Sequence, residues 1–66
     1  MSDEDYLVVG AMEHYGGAFV QALAMACHRA DANNLAKIKT TWADYWESYR
    51  LIATQLKEVR EKEKKA

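Results

Sequence analysis

Between Leu35 and Val59 the apolar positions fall at Leu35, Ile38, Trp42, Tyr45, Tyr49, Ile52, Leu56 and Val59, in alternating steps of three and four. That alternation keeps one side of an α-helix apolar and asks for a partner helix along its length. Trp46 and Ala53 widen one flank, and Leu51 stands on the far side. From Leu7 to Cys27 the apolar residues are denser and cover well over half of a helix circumference. Strand patterning is confined to Tyr6–Val9, which is too short to pair alone.

Boundary signals divide the chain once. Ser2 followed three residues later by Asp5 reads as a helix start, and Asp3, Glu4 and Asp5 suit the positive end of a helix dipole. Asp31-Ala32-Asn33-Asn34 combines good N-caps with residues that tolerate turns. Lys62, Lys64 and Lys65 suit a helix C-terminus, and the charge-alternating stretch from Lys57 onward reads as a solvated helix end. The pattern predicts one all-α domain spanning residues 1–66: a helix over about 3–30, a turn at 31–34 and a helix over about 34–64. A turn so short makes the two long helices an antiparallel hairpin. One neighbour covers roughly 100° of a helix, so the wide apolar arc of the first helix asks for more. The expected solution is a homodimeric four-helix bundle, with Met12, Phe19, Leu23, Trp42, Tyr45 and Tyr49 at the oligomer interface.

Composition narrows the function classes. A chain of 66 residues buries only about 60% of its unfolded surface and gains from oligomerisation. The single cysteine, Cys27, forbids an intrachain disulfide and favours a reducing compartment. A net charge of −1 gives no field to recruit nucleic acid or an anionic membrane. The start Met-Ser-Asp-Glu-Asp is acidic, unlike a secretory signal, and the apolar run Ala18–Cys27 is too short to span a bilayer. The expected location is the cytoplasm.

Chemistry-bearing patterns are sparse. No serine, histidine and acid constellation is present, and no catalytic residue, cofactor or metal is expected. His14 and His28 share one face of a continuous helix but lie about 21 Å apart, too far to share an ion within one chain. The pair Gly16-Gly17 is the oddest local feature, since each glycine inside a helix costs about 1 kcal/mol relative to alanine. Close packing, a kink or break, and a ligand or partner at the backbone all explain it. Gly10, His14, Gly17, Gln21, Ala24 and His28 form a second stripe of small and polar residues. It reads as a solvated face, or as a shallow groove edged by His14, Gln21 and His28. Trp42, Tyr45, Trp46 and Tyr49 read first as core, and Trp46, off the strict stripe, is the candidate surface anchor. The candidate binding residues are thus His14, Tyr15, Gly17, Gln21 and Trp46.

The segment from Asp5 to Val20, with Gly10, His14, Tyr15, Gly16 and Gly17, and the segment Ala43-Asp44-Tyr45-Trp46-Glu47-Ser48-Tyr49 resemble small helical proteins encoded by bacteriophages and prophages. The resemblance implies an accessory protein made inside an infected host that acts by binding a host or phage component. It assigns no activity to individual residues. The expected function is a small oligomeric protein-interaction module that binds itself and a second protein. A small-molecule or nucleotide-binding bundle, with an inter-subunit pocket near His14, Tyr15, Gly16 and Gly17, is the alternative.

Overall fold

The computed structural model describes residues 1–65, with side chains described to residue 62. The described residues are all-helical, without a strand, but they form four helices where two long ones were expected. These are α1 (Asp3–Tyr15), α2 (Ala18–Arg29), α3 (Ala32–Thr41) and α4 (Ala43–Lys65).

Local chemistry accounts for the starts. The Ser2 hydroxyl accepts a hydrogen bond from the Asp5 amide at 3.1 Å, capping α1. Asp31 does the same for α3, its carboxylate accepting from the Asn34 amide at 2.8 Å. This cap starts the helix at Ala32, slightly earlier than the expected turn over 31–34.

The first correction falls at Gly16-Gly17. Both residues leave the helical region for extended backbone, at φ −78°, ψ 155° and φ −75°, ψ −174°. The break is cheap in hydrogen bonds. The Gly16 amide still donates to the Met12 carbonyl at 3.0 Å, and the Gln21 side-chain amide donates to the Gly16 carbonyl at 3.0 Å. Gly17 then serves as N-cap of α2, its carbonyl accepting from the Gln21 amide.

The second correction falls at Trp42, where one residue at φ −115°, ψ 47° separates α3 from α4. Thr40 and Thr41, both weak helix formers, precede it. Trp42 still donates to Ile38 and accepts from Trp46, each at 3.0 Å, so the joint is a bend that keeps the flanking ladder.

These breaks change the topology. The chain reverses at Gly16-Gly17, so α2 folds back along α1 and Tyr6 lies near His28. It reverses again at Ala30-Asp31, bringing Lys37, Ile38 and Thr41 beside Ala26 and Arg29. After the bend, α4 lies along α1. Glu4 and Leu7 sit beside Arg50 and Ala53, while His14 and Tyr15 sit beside Leu56 and Arg60. The first helix and the last therefore run in the same sense, unlike the arms of a simple hairpin.

The core is built by this double reversal. Val8, Val9, Met12, Val20, Leu23, Ala24, Cys27 and Leu35 form one buried cluster. Ile38, Trp42, Trp46 and Tyr49 pack against it. The over-wide arc from Leu7 to Cys27 is thus covered largely from within, because the break folds its two halves onto each other. Met12 and Leu23, expected at an oligomer interface, are used in the chain's own core.

Cys27 offers a direct check on this core. Its burial pushes the thiol upward from its ordinary range, with the Asp5 carboxylate adding to the shift. The reactive thiolate is therefore scarce and shielded. Alkylation by iodoacetamide is expected to be slow in the native chain and fast in urea, as followed by mass.

Candidate functional site

The candidate site lies between α1 and α4. A groove of about 380 Å³ is lined by Tyr6, Leu7, Gly10, Ala11, His14, Tyr15, Ala53, Leu56, Lys57 and Arg60. Its position follows from helix periodicity. Leu7, Gly10, Ala11 and His14 share one face of α1, and Ala53, Leu56, Lys57 and Arg60 share one face of α4. Ala11 and Ala53 are buried at the floor, while Tyr6, Leu7, Tyr15 and Leu56 keep about half of their surface exposed at 54%, 41%, 52% and 41%. The small floor residues keep the two helices close, and the larger side chains form the walls.

The charged lining is basic, with His14 and Arg60 toward one end and Lys57 between the two hollows, and the groove lining contains no carboxylate. Toward the other end Glu4 shares a neighbouring depression with Leu7, Arg50, Ala53 and Lys57. Arg50 is held by Glu47 through two hydrogen bonds, at 2.9 and 2.6 Å. The rings of His14 and Tyr15 meet edge to face at 4.7 Å between centroids, which sets them as a unit at the groove end.

Of the expected binding residues, the structure brings His14 and Tyr15 to this groove and disperses the others. Gln21 is on α2, where its amide closes the α1–α2 break. Gly17 is exposed at that break, and a Cβ there would meet nothing within 4 Å. Trp46 packs against the core beneath Lys39, whose ammonium lies 5.0 Å from the ring centroid and donates to Asp5 at 3.1 Å. The small-residue stripe required one continuous helix, and the break divides it. Gly10 and His14 go to the groove, Ala24 to the core, and His28 to an exposed pair with Glu13 across α1 and α2. Leu56 and Lys57 were read only as stripe and solvated tail, and the parallel pass of α4 along α1 makes them groove walls.

A second aromatic feature sits where α2 meets the α3–α4 joint. Phe19 lies 6.1 Å from Trp42 and 5.8 Å from Tyr45 between ring centroids. These residues, expected between subunits, contact each other within one chain, with Phe19 and Tyr45 still partly exposed. Tyr49, expected with them, is half-buried against the core.

Gly17 gives a small, separable expectation. It is an N-cap without a side-chain hydrogen bond, and the first turn of α2 carries no acid. Gly17→Asp supplies both a cap and a favourable charge, and restricts the unfolded chain. Thermal melts should show a gain of about 0.4–1 kcal/mol. Gly17→Ala gains in unfolded-state entropy but caps poorly, so its net effect should be smaller.

Among the described residues no three His, Cys, Asp or Glu side chains converge to hold a metal ion, and no helix is long and apolar enough to cross a membrane. Comparison of the chain with family models, curated proteins and solved structures finds no match.

Proposed function

We propose that this protein is a small protein-interaction module whose docking surface is the α1–α4 groove. The observation that carries this reading is the groove's make-up: half-exposed Tyr6, Leu7, Tyr15 and Leu56 over a small-residue floor, with cations and no carboxylate in the lining. Tyrosine and arginine are among the residues that dominate protein interfaces. A trough between two helices running in the same sense takes a third helix by ridge-in-groove packing. The module would act in the cytoplasm, by occupying a surface of a host or phage component. The wall residues Tyr6, Leu7, Tyr15 and Leu56 stay about half exposed, which suits a helix laid along the groove more than a small molecule enclosed on all sides.

The test is affinity capture from host lysate with three baits: the native chain, Leu56→Glu and Leu51→Glu. Leu51 is as exposed as the groove residues but lies outside the groove. A protein retained by the native chain and Leu51→Glu and lost with Leu56→Glu supports the groove. Equal retention by all three baits places the interaction elsewhere.

A further inference from the structure

We infer that the occupant of the α1–α4 groove is an acidic amphipathic helix of another protein, with aliphatic side chains on the groove floor and Asp or Glu side chains against Lys57 and Arg60. This partner rests on the reading of the groove as a helix-docking face and adds the chemistry of what docks there.

The charge pattern selects an anionic occupant. The chain as a whole is net −1, with 10 acidic side chains against 9 lysines and arginines. The groove departs from that balance: it gathers Lys57, Arg60 and His14 and holds no carboxylate. Glu4 enters only the neighbouring hollow, where Arg50 and Lys57 accompany it. Elsewhere the cations are matched within the chain, Lys39 by Asp5 and Arg50 by Glu47. Lys57 has no such ion pair among the described residues. It stands one turn from Arg60 on the same face of α4, and both are exposed. A carboxylate laid between two such cations meets attraction from both. Exposed charges of this kind govern partner choice and encounter rate more than affinity. Affinity has to come from the apolar part of the groove.

The shape of that part suits a helix. From Leu7 to Tyr15 the rise of α1 is about 12 Å, room for about two turns of a docked helix. The floor is Gly10, Ala11 and Ala53, and a Cβ added at Gly10 would meet nothing within 4 Å. Aliphatic side chains at i, i+3, i+4 and i+7 of a partner helix reach this floor between Leu7 and Leu56. The phenol hydroxyls of Tyr6 and Tyr15 are donors for carboxylates at the rim. A bilayer surface asks for apolar side chains on a projecting face, whereas these line a trough. A nucleic-acid strand asks for a longer basic track than the one that ends beside Glu4.

The probe is a fluorescein-labelled peptide of about 14 residues, with leucine at helical spacing and glutamate on its remaining faces. Twin peptides carry glutamine or lysine in place of glutamate, and anisotropy reads binding to the native chain. The glutamate peptide should bind about tenfold more tightly than the glutamine twin, and the lysine twin most weakly. Added salt should erode the difference. Lys57→Glu and Arg60→Glu should each weaken the glutamate peptide by about tenfold, and the double variant should prefer the lysine twin. Leu51→Glu should leave binding unchanged. Circular dichroism checks the fold, and Lys57→Gln, which only removes a charge, serves if reversal disturbs α4. Equal binding of the three peptides, or binding indifferent to Lys57 and Arg60, overturns the proposal. So does tighter binding of a polythymidine oligonucleotide or phosphatidylserine vesicles, lost in the same variants. A native chain that binds no peptide yet captures a protein through Leu56 loses the acidic helix and keeps the docking face. A glutamate peptide lost with Leu51→Glu and retained with Leu56→Glu removes both.

Discussion

Met12→Ala is expected to be among the most damaging single substitutions in this chain, at about 2–5 kcal/mol. Met12 is the largest fully buried side chain, 1% exposed, and belongs to the cluster joining α1, α2 and α3. Truncation removes its transfer free energy and leaves a cavity that the surrounding Val8, Val9 and Leu23 fill only in part. A domain of this size has a total stability of roughly 3–10 kcal/mol, so the loss would unfold a large share of molecules at ordinary temperature. Urea denaturation should show a lower midpoint with an unchanged slope. The loss should also be independent of protein concentration. That distinguishes a residue of the chain's own core from one buried between subunits, where dilution would deepen the effect. A loss below about 1 kcal/mol would mean that Met12 is not the buried residue described, since surface changes usually fall within that range.

Gly16→Ala should cost about 1–3 kcal/mol, although alanine is ordinarily the better helix former. The physical reason is space. An added Cβ would lie 2.5 Å from the Met12 carbonyl oxygen, 2.5 Å from Val20 Cγ1 and 2.8 Å from Val20 Cβ. Carbonyl oxygen and buried valine cannot both yield without moving α2 relative to α1. The φ of Gly16 is an ordinary negative value, so close approach and not backbone handedness demands glycine here. The neighbouring Gly17→Asp is the control, since it lies in open space and should stabilise. Thermal melts of the two variants should therefore shift in opposite directions. A stabilised Gly16→Ala would show that Met12 and Val20 do not crowd this position, because alanine gains over glycine wherever its Cβ fits at negative φ.

The contrast between these adjacent glycines marks where the sequence is legible. Helix as the dominant state could be read from periodicity, and two of the starts from single caps, Ser2 and Asp31. Such signals are local and survive any tertiary arrangement. The reversal at Gly16-Gly17 is a competition between two helix-breaking residues and a run of apolar residues that reads as continuous helix. Its outcome depends on contacts made only once the chain has turned back, such as His28 with Glu13 and Tyr6, together with the local ones that Val20 and Gln21 make at Gly16. The dense arc from Leu7 to Cys27 held the clue. An arc too wide for one neighbour is covered by a second subunit or by its own other half, and sequence alone does not decide between them. The bend at Trp42 was hidden for a different reason: one non-helical residue leaves the alternation of three and four almost undisturbed. The site followed the fold. His14 and Tyr15 could be picked out by type, while Leu56 and Lys57 gained their position only through the parallel pass of α4 along α1.

The placement of the two indoles has a practical consequence. Trp42 and Trp46 are the only tryptophans in the chain, and they sit within one turn of each other at the α3–α4 joint. Tryptophan emission is therefore a local gauge of that joint, with the Lys39 ammonium above Trp46 making its wavelength sensitive to the Asp5 tether. The Cys27 sulfhydryl gauges the part of the core that α2 supplies. The molecule thus carries two native probes on separate segments, one read by emission and the other by alkylation. Coincident transitions would mean that all four helices melt as one cooperative unit. An emission change that precedes thiol exposure would mean that the elbow at Trp42 opens first, as a separate subglobal step.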